Sequence, residues 1–217
     1  MSTLTKRLMA DTNNNKKIIL ASGSAWRLKI LNQMFITPDY VITTDVPEPI
    51  IKKEKPRDMS IRLAKAKGEK AYEMVMSDPN IDKHSIIIAG DTVACIGNRV
   101  LDKALNKDDV RRYTELMNGR NSRIYSTACI IDVETGRRSI KTAEARVRMK
   151  YLQQDEIDFI VDMAEGIGKA GGYSIGGFAC CLFDKVVGSY TAILGLDAPH
   201  VYNALRSFGY KFQKQEK

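Results

Sequence analysis

The chain passes from an apolar run into a polar turn at Ile18-Ile19-Leu20-Ala21-Ser22-Gly23-Ser24-Ala25-Trp26-Arg27. The apolar run predicts a strand, and the apolar residues that continue at helical spacing predict a helix: Leu28, Leu31 and Phe35. Ser22 and Ser24 then surround a helix N-terminus, where free N–H groups and the helix dipole favour an anion. Arg27 adds a planar set of donors that suits phosphate oxygens. The segment therefore indicates a phosphate site, and the alternative is that Ser24 only caps the helix.

A glycine-rich segment near the other end of the chain has a similar character: Gly168-Lys169-Ala170-Gly171-Gly172-Tyr173-Ser174-Ile175. Its glycines permit close approach of the backbone to a ligand, and Lys169 brings a positive charge among them. Residues 166–171 satisfy G-x-G-x-x-G, but they follow a helical stretch instead of a strand, which excludes a dinucleotide fingerprint. A Walker A loop is excluded because Met163 and Ala170 stand where its first glycine and its hydroxyl residue belong. The segment indicates a second phosphate-binding loop or, as the alternative, a glycine-rich turn with a surface lysine.

The composition is that of an ordinary globular protein, with 44% hydrophobic and 28% charged residues in a chain of 217. The net charge of +8 suits either a nucleic acid or a small polyanion in a cleft. No aromatic-interleaved basic stripe and no zinc-ligand spacing accompany the charge, so we expect no nucleic-acid partner. No apolar run approaches the roughly 18 residues of a membrane span, so we expect no membrane partner either.

Cysteine usage and the start of the chain bear on location and domain organisation. Two of the four cysteines are adjacent and all lie in apolar, strand-like surroundings, which disfavours a disulfide framework: Cys95, Cys129, Cys180 and Cys181. We expect reduced core cysteines in a cytoplasmic protein. The first residues contain no signal-type apolar region. Residues 1–15 are expected to be a flexible leader, and residues 16–212 a single domain.

Strand-like and helix-like stretches alternate along the chain without repeats. The predicted strands cover 18–20, 40–43, 85–89, 93–96 and 99–101, two more flank a turn at 134–137, and the last lies around 186–190. The predicted helices follow residue 24 and cover 58–76, 106–118, 154–165 and 199–208. Asp91 follows a buried-type strand beside Gly90, at a carboxyl end where α/β sheets gather their chemistry. The order predicts a mixed α/β fold without the strict rhythm of a Rossmann fold.

Ordered segments across nearly the whole chain resemble the Maf-like nucleoside triphosphate pyrophosphatases. Besides residues 20–27 and 168–173, these segments are Arg62-Leu63-Ala64-Lys65-Ala66-Lys67, Ala89-Gly90-Asp91-Thr92, Val100-Leu101-Asp102-Lys103 and Gly188-Ser189-Tyr190. The resemblance implies an inosine triphosphatase-like fold, in which an elongated mixed sheet and its flanking helices form two lobes around a cleft, commonly in a homodimer. It also implies hydrolysis of nucleoside triphosphates to the monophosphate and pyrophosphate, as a house-cleaning enzyme for non-canonical or modified nucleotides.

The resemblance further implies a set of site residues. It assigns the substrate phosphates to Ser22, Arg27, Lys67, Lys103 and Lys169, and a divalent cation, Mg²⁺ or Mn²⁺, to Glu48 and Asp91. The residue types suit that chemistry, because cleavage between the α- and β-phosphates moves negative charge onto the departing pyrophosphate, and the cations offset it. Two carboxylates in a basic cleft suit cation binding or activation of water. We assign Asp91 as the catalytic general base.

Each assignment has a simpler alternative when the residue is taken alone. Lys67 lies on a lysine-rich helix and would be a solvated charge. Asp91 would form an Asp-type turn, and Glu48, between two prolines, would be a loop charge. The two histidines, His84 and His200, are isolated in the sequence, and we assign neither a ligand role.

The chain departs from the family pattern at several positions. The opening motif usually continues with proline and two arginines, whereas here Ala25 and Trp26 precede Arg27, and Leu28 takes the second place. Tryptophan at this place resembles the subgroup associated with 7-methyl-GTP. The pyrimidine-directed subgroup carries glutamine where this chain has Gly176. The base preference is therefore open between UTP or dTTP and a modified guanine nucleotide.

The sequence leaves two further alternatives open. The missing arginine leaves room for a non-catalytic nucleotide-binding regulator of septum formation and cell division, which would need the phosphate cleft but not the carboxylates. Trp26 either stacks on a nucleotide base or packs in the core beside Leu31 and Phe35.

Overall fold

The computed structural model describes residues 15–49 and 51–212. Its strands are β1 (Lys17–Ala21), β2 (Tyr40–Ile42), β3 (Ser85–Ile96), β4 (Arg99–Leu101), β5 (Asn121–Asp132), β6 (Arg138–Met149) and β7 (Phe183–Gly188). Across the described residues these strands form one seven-stranded mixed sheet with the order β2-β1-β3-β5-β6-β7, and β4 pairs with β3 beside this path. The expected mixed α/β architecture is therefore confirmed.

The parallel and antiparallel parts of the sheet meet at β3. β1 lies between β2 and β3 and is parallel to both, with Leu20 opposite Val41 and Ala21 opposite Ala89. The remaining pairs, from β3 through β5 and β6 to β7, are antiparallel. β3 is buried along most of its length, and its isoleucine run suits a strand that is covered on both faces.

Helices cover the sheet and form the second layer. They are α1 (Ala25–Gln33), α2 (Pro56–Ser77), α3 (Lys107–Met117), α4 (Gln154–Met163), α5 (Tyr190–Leu194) and α6 (Ala198–Ser207), and a 3₁₀ helix spans Phe178–Leu182. Ser24, Asn106 and Ser189 cap three of these helices, since each side chain accepts a hydrogen bond from a first-turn N–H group. The segment between β2 and α2 contains no helix or strand in its described residues, as its prolines and charges predict.

Small residues bring α2 close to the sheet. The buried face of this helix includes Ala64, Gly68, Ala71 and Val75, as the sequence pattern predicts. A Cβ atom on Gly68 would lie 2.7 Å from Cys129 Sγ, so only glycine permits this approach. The close packing fixes the position of the preceding residue, Lys67, whose side chain reaches Asp91 on β3.

The core is divided between two lobes. One apolar cluster joins α1 and α6 to β1, β3 and β5, and α2 covers the other face of the same strands. A separate cluster joins α3, α4 and the 3₁₀ helix to the ends of β4 and β6. This division agrees with the expected two lobes.

Some local predictions are wrong. The strand that was expected to end at Ala89 continues through Asp91, because Asp91 pairs with Thr127 of β5 in one unbroken ladder. The last strand ends at Gly188, whose φ of +99° suits glycine, and Ser189 and Tyr190 belong to the start of α5.

Two sets of side chains expected in the core lie at the surface. Phe35 follows the end of α1 with a φ of +59° and is 68% exposed. Cys180 and Cys181 are exposed in the 3₁₀ helix, which was not predicted, whereas Cys95 and Cys129 are buried. All four thiols are free, as expected.

The expected leader, residues 1–15, lies outside the described residues except for Asn15. The Asn15 side chain donates to the Lys211 carbonyl at 2.7 Å and accepts from the Lys211 N–H at 3.0 Å. No helix among the described residues has the length and apolar character needed to cross a membrane.

Candidate active site

A cavity of about 550 Å³ lies beside the carboxyl end of β1, the middle of β3 and the glycine-rich segment. Its lining includes every residue for which the sequence predicts a site role: Ser22, Arg27, Glu48, Lys67, Asp91, Lys103 and Lys169. These residues come from separate strands, loops and helices of both lobes. The structure brings them together, and their individual roles remain predictions.

Ser22 presents a free hydroxyl donor at the end of β1. Its Oγ accepts hydrogen bonds from the Ser24 N–H at 3.2 Å and from Arg27 Nη1 at 2.8 Å. Those two bonds use both acceptor lone pairs of the hydroxyl, so the Ser22 O–H is left to donate to a ligand. Ser24 caps α1, so the simple capping role is correct for this residue. The same turn nevertheless presents Ser22 to the cavity.

Hydrogen bonds within the protein hold the Arg27 guanidinium in place and leave some of its N–H groups unused. Besides its bond to Ser22, its Nε donates to the Gly195 carbonyl at 2.8 Å and its Nη2 to Thr92 Oγ1 at 3.4 Å. A guanidinium has five N–H groups, so two remain for an anion. Burial lowers the pKa of Arg27, and the charges of Asp91 and Glu48 oppose that shift.

Thr92 and Gly195 were not singled out from the sequence. Thr92 directly follows Asp91 in the quoted motif, which is the one signal that could have indicated it. Gly195 follows α5, in a region where the sequence pattern predicts no helix. Its carbonyl reaches Arg27 only through the packing of α5 beside α1.

Lys67 joins the two carboxylates of the site. Its Nζ lies 2.6 Å from Glu48 Oε1 and 2.6 Å from Asp91 Oδ1. The Lys67 side chain is only 13% exposed, so its interpretation as a solvated surface charge is wrong. Asp91 lies within β3 and not in a turn, so the Asp-type turn is wrong as well.

The positive charges around Glu48 keep its carboxyl ionised. Burial raises the pKa of Glu48, but the hydrogen bond from Lys67 and the charges of Lys67, Lys103 and Arg27 outweigh it. The net effect holds the pKa of Glu48 below its ordinary value. Glu48 is therefore a charged component of the site and not an isolated loop carboxylate.

The donor set around the carboxylate pair decides whether this site suits a metal ion. Within residues 15–49 and 51–212, no group of three or more His, Cys, Asp and Glu side chains is arranged to hold a metal ion. Glu48 and Asp91 would thus provide two carboxylates, and Mg²⁺ in nucleotide enzymes commonly uses one or two carboxylates together with substrate phosphates. The residues present therefore fit a divalent cation that binds together with a phosphorylated substrate.

Backbone hydrogen bonds pair the segment that carries Lys103 with the glycine-rich segment that carries Lys169. The N–H of Ala104 donates to the Lys169 carbonyl at 3.1 Å, and the N–H of Gly168 donates to the Ala104 carbonyl at 2.7 Å. The glycine-rich segment is therefore folded onto the strand end after β4 and is not a free surface turn. The backbone of this segment adopts the left-handed region at three positions, which favours glycine there. The φ values are +78°, +74° and +70° at Gly168, Gly171 and Gly172.

Trp26 lies on the cavity wall and not in the core. A Cβ atom on Gly176 would lie 2.1 Å from Trp26 Cη2, so the tip of the indole ring rests directly against Gly176. Lys29 Nζ lies 4.6 Å from the ring centre. Trp26 is half-buried, lines the cavity and does not belong to the core cluster that contains Leu31, so the hypothesis that it packs in the core beside Leu31 and Phe35 is wrong.

Comparison with known families agrees with this geometry. The model of a family described as "Maf-like protein" matches residues 17–208. This chain belongs to the Maf-like protein family. The matched region contains every residue that lines the cavity, so the Maf-like assignment applies to the site as well as to the sheet.

Two relatives of this Maf-like protein carry informative names. A protein of Rhodopseudomonas palustris (strain HaA2) named "dTTP/UTP pyrophosphatase" is 40% identical over 194 residues, which cover 89% of this chain and 93% of that protein. A protein of Rickettsia canadensis (strain McKiel) named "Nucleoside triphosphate pyrophosphatase" is 37% identical over 205 residues, which cover 94% and 98% of the two chains.

A solved structure described as a HAM1 protein from Coxiella burnetii is also similar, with 12% identity and a TM-score of 0.39. It covers 62% of this chain and 73% of that chain. These values are low, so the family assignment rests on the family model and the sequence relatives.

The opening turn of this Maf-like protein provides one guanidinium. Leu28 takes the place of the second arginine, and it packs against the apolar cluster that joins α1 and α6 to the sheet. Residues 22–28 therefore contribute Arg27 alone as a cation.

Proposed function

We propose that this protein is a nucleoside triphosphate pyrophosphatase, which hydrolyses its substrate to the nucleoside monophosphate and pyrophosphate. The observation that carries this proposal is the Glu48–Lys67–Asp91 cluster, which faces the same cavity as three further cations. Counting side chains, Arg27, Lys67, Lys103 and Lys169 provide four positive charges, and the carboxylates provide two negative charges. The net positive charge suits a triphosphate.

The cations have separate tasks in this proposal. The free Ser22 hydroxyl and the two unused Arg27 donors bind phosphate oxygens at the turn before α1. Lys103 and Lys169, whose segments are joined by backbone hydrogen bonds, bind further phosphate oxygens. Fixed donors of this kind stabilise charge that develops on the departing pyrophosphate, because they need no rearrangement during the reaction.

Asp91 is the general base in this mechanism. Water attacks the α-phosphorus, Asp91 accepts the proton of the water, and the bond from the α-phosphorus to the bridging oxygen breaks, which releases pyrophosphate. Glu48 and Asp91 would hold the divalent cation, Mg²⁺ or Mn²⁺, which when bound neutralises phosphate charge as a Lewis acid. Lys67, which contacts both carboxylates, holds them close together until the substrate phosphates enter.

The proposed substrates are dTTP and UTP. The name of the R. palustris relative supports this choice, and the half-buried Trp26, which lines the cavity, provides an aromatic ring on which a base would stack. Nucleotide clearance of this kind is the house-cleaning role that we propose, in a cytoplasmic homodimer.

A pyrophosphate-release screen tests the proposal. The purified protein is incubated with dTTP, UTP, 7-methyl-GTP and the ordinary purine nucleotides, each with Mg²⁺ or Mn²⁺. We expect release from dTTP and UTP and none with EDTA. Faster release from 7-methyl-GTP would overturn the proposed base preference. Nucleotide binding without release would favour the non-catalytic regulator.

A further inference from the structure

The segment that carries Glu48 has no regular secondary structure to position it. Between the end of β2 at Ile42 and the start of α2 at Pro56, the described residues form neither a helix nor a strand. Lys53 in this segment has a φ of +68°, which a non-glycine residue adopts only where neighbouring contacts hold it. A metal ligand needs a fixed backbone, so other contacts must hold this segment in place.

Arg62 provides those contacts. Its Nε donates to Glu54 Oε1 at 2.7 Å, and its Nη2 donates to Glu54 Oε2 at 2.7 Å. The same Nη2 also donates to the carbonyl of Pro49 at 2.9 Å. One guanidinium therefore joins two points of the segment, and one of them is the residue that directly follows Glu48.

The pair is partly shielded from water and is geometrically specific. The Arg62 side chain is 30% exposed and the Glu54 side chain 13%. Two parallel N–H to oxygen bonds between a guanidinium and a carboxylate fix both planes, whereas an ammonium would make only a point contact. The hydrogen bond between them raises the pKa of Arg62 and lowers that of Glu54, so both stay charged.

The same helix holds Glu48 at a second point. Lys67 follows Arg62 on α2, and it bonds the Glu48 carboxylate directly at 2.6 Å. Arg62 thus fixes the backbone beside Glu48, while Lys67 holds the Glu48 side chain as long as no cation displaces the ammonium. Because α2 is packed rigidly on the sheet that contains Asp91, both contacts set Glu48 relative to Asp91.

We infer that Arg62 and Glu54 are positioning residues, which hold Glu48 at the distance from Asp91 that a shared divalent cation requires. The inference rests on the proposed function, in which Glu48 and Asp91 bind that cation. Arg62 itself is not among the residues that line the cavity, so in this inference it acts on the site through the segment that carries Glu48. Outer partners of metal ligands typically change metal affinity by about 10- to 100-fold when they are altered.

The test compares Arg62→Lys and Glu54→Gln with the wild type. Arg57→Lys is the matched control, since Arg57 is exposed in the first turn of the same helix. Mn²⁺ binding to the complex with a dTTP analogue that cannot be cleaved between the α- and β-phosphates is measured by EPR of free Mn²⁺. Binding of the analogue in EDTA is measured by isothermal titration calorimetry. We expect Mn²⁺ affinity to fall about 10-fold in both variants, with unchanged metal-free binding and with kcat restored at saturating Mn²⁺.

A double variant separates this inference from the proposed function. In the Glu48→Gln background, Arg62→Lys should cause no further loss of Mn²⁺ affinity, because its effect passes through Glu48. Additive losses would overturn the positioning role, as would unchanged Mn²⁺ affinity in Arg62→Lys. A parallel fall in metal-free analogue binding and thermal midpoint would instead show that Arg62 supports the fold generally, which also overturns it. Full Mn²⁺ affinity in Glu48→Gln alone would refute the metal role of Glu48 in the proposed function.

Discussion

Replacing Lys67 by methionine should strengthen the binding of Mn²⁺ to the nucleotide-free protein. In the wild type the Lys67 ammonium lies 2.6 Å from both Glu48 and Asp91, where a cation between the two carboxylates would have to displace it. Methionine keeps most of the length and volume of the side chain but carries no charge. The variant therefore has no ammonium between the two carboxylates that a divalent cation would have to displace.

The contacts give the size of the effect. A hydrogen bond to a charged group contributes about 1.5–3 kcal/mol, so displacing Lys67 from two such bonds costs the cation about 3 kcal/mol at the lower end. The lower end applies because the Glu48 side chain is 37% exposed and its bond is weakened by solvent. A difference of about 3 kcal/mol corresponds to roughly 100-fold in affinity. The variant should also be less stable without metal, since both carboxylates lose their bond to the Lys67 ammonium.

Titration with Mn²⁺, followed by EPR of the free ion, measures the affinity directly. Thermal unfolding with and without Mn²⁺ measures the stability, which the cation should restore more strongly in Lys67→Met than in the wild type. Lys70→Met is the control, because Lys70 lies on the same helix with half of its side chain exposed. Equal Mn²⁺ affinities of Lys67→Met and the wild type would refute the competition between the ammonium and the cation.

Asp91, Trp26 and the four cysteines provide three other predictions. Asp91→Asn should lower kcat about 100-fold or more while leaving nucleotide affinity nearly unchanged, because the amide cannot accept the proton of water; near-normal turnover would contradict its role. Trp26 fluorescence should change when dTTP binds, and Trp26→Phe should alter the ranking of bases more than the maximal rate; constant emission during proven binding would exclude contact with the base. A thiol reagent at pH 8 should modify the exposed Cys180 and Cys181 quickly and the two buried cysteines slowly. Burial raises the pKa of Cys95 to about 11 and that of Cys129 to about 12. Rapid modification of all four thiols would contradict this burial.

The pH dependence of stability provides one more test. The lowered pKa of Glu48 decides whether stability rises or falls with pH. Its pKa is lower in the folded protein than its ordinary value of 4.5, so its pairing with Lys67 stabilises the fold above that pH and is lost as the pH falls through the folded value. The wild type should therefore lose stability below about pH 4.5 more steeply than Lys67→Met, measured by thermal unfolding across pH 3–7. Parallel curves would contradict the shift.

The sequence alone was sufficient for features that depend on local order. The passage from an apolar run through Ser22 to α1 predicted the first strand, the turn and the helix, because hydrophobic periodicity and capping act within a few residues. The small face of α2 was predicted for the same reason. The resemblance of the ordered motifs added the set of residues that the structure gathers around the cavity, and the Maf-like family match supports that resemblance.

The contacts within the site depended on the tertiary structure. Arg27 bonds to Gly195 across 168 positions of the chain, and Lys67 bonds to Asp91 across 24. Such pairs are set by sheet register and by the packing of helices on it, which no local pattern encodes. For that reason the sequence predicted a charged Lys67 but not its place between two carboxylates, and it suggested two positions for Trp26 without deciding between them. Packing against Gly176 places that ring at the cavity, because a glycine at this point leaves room for it.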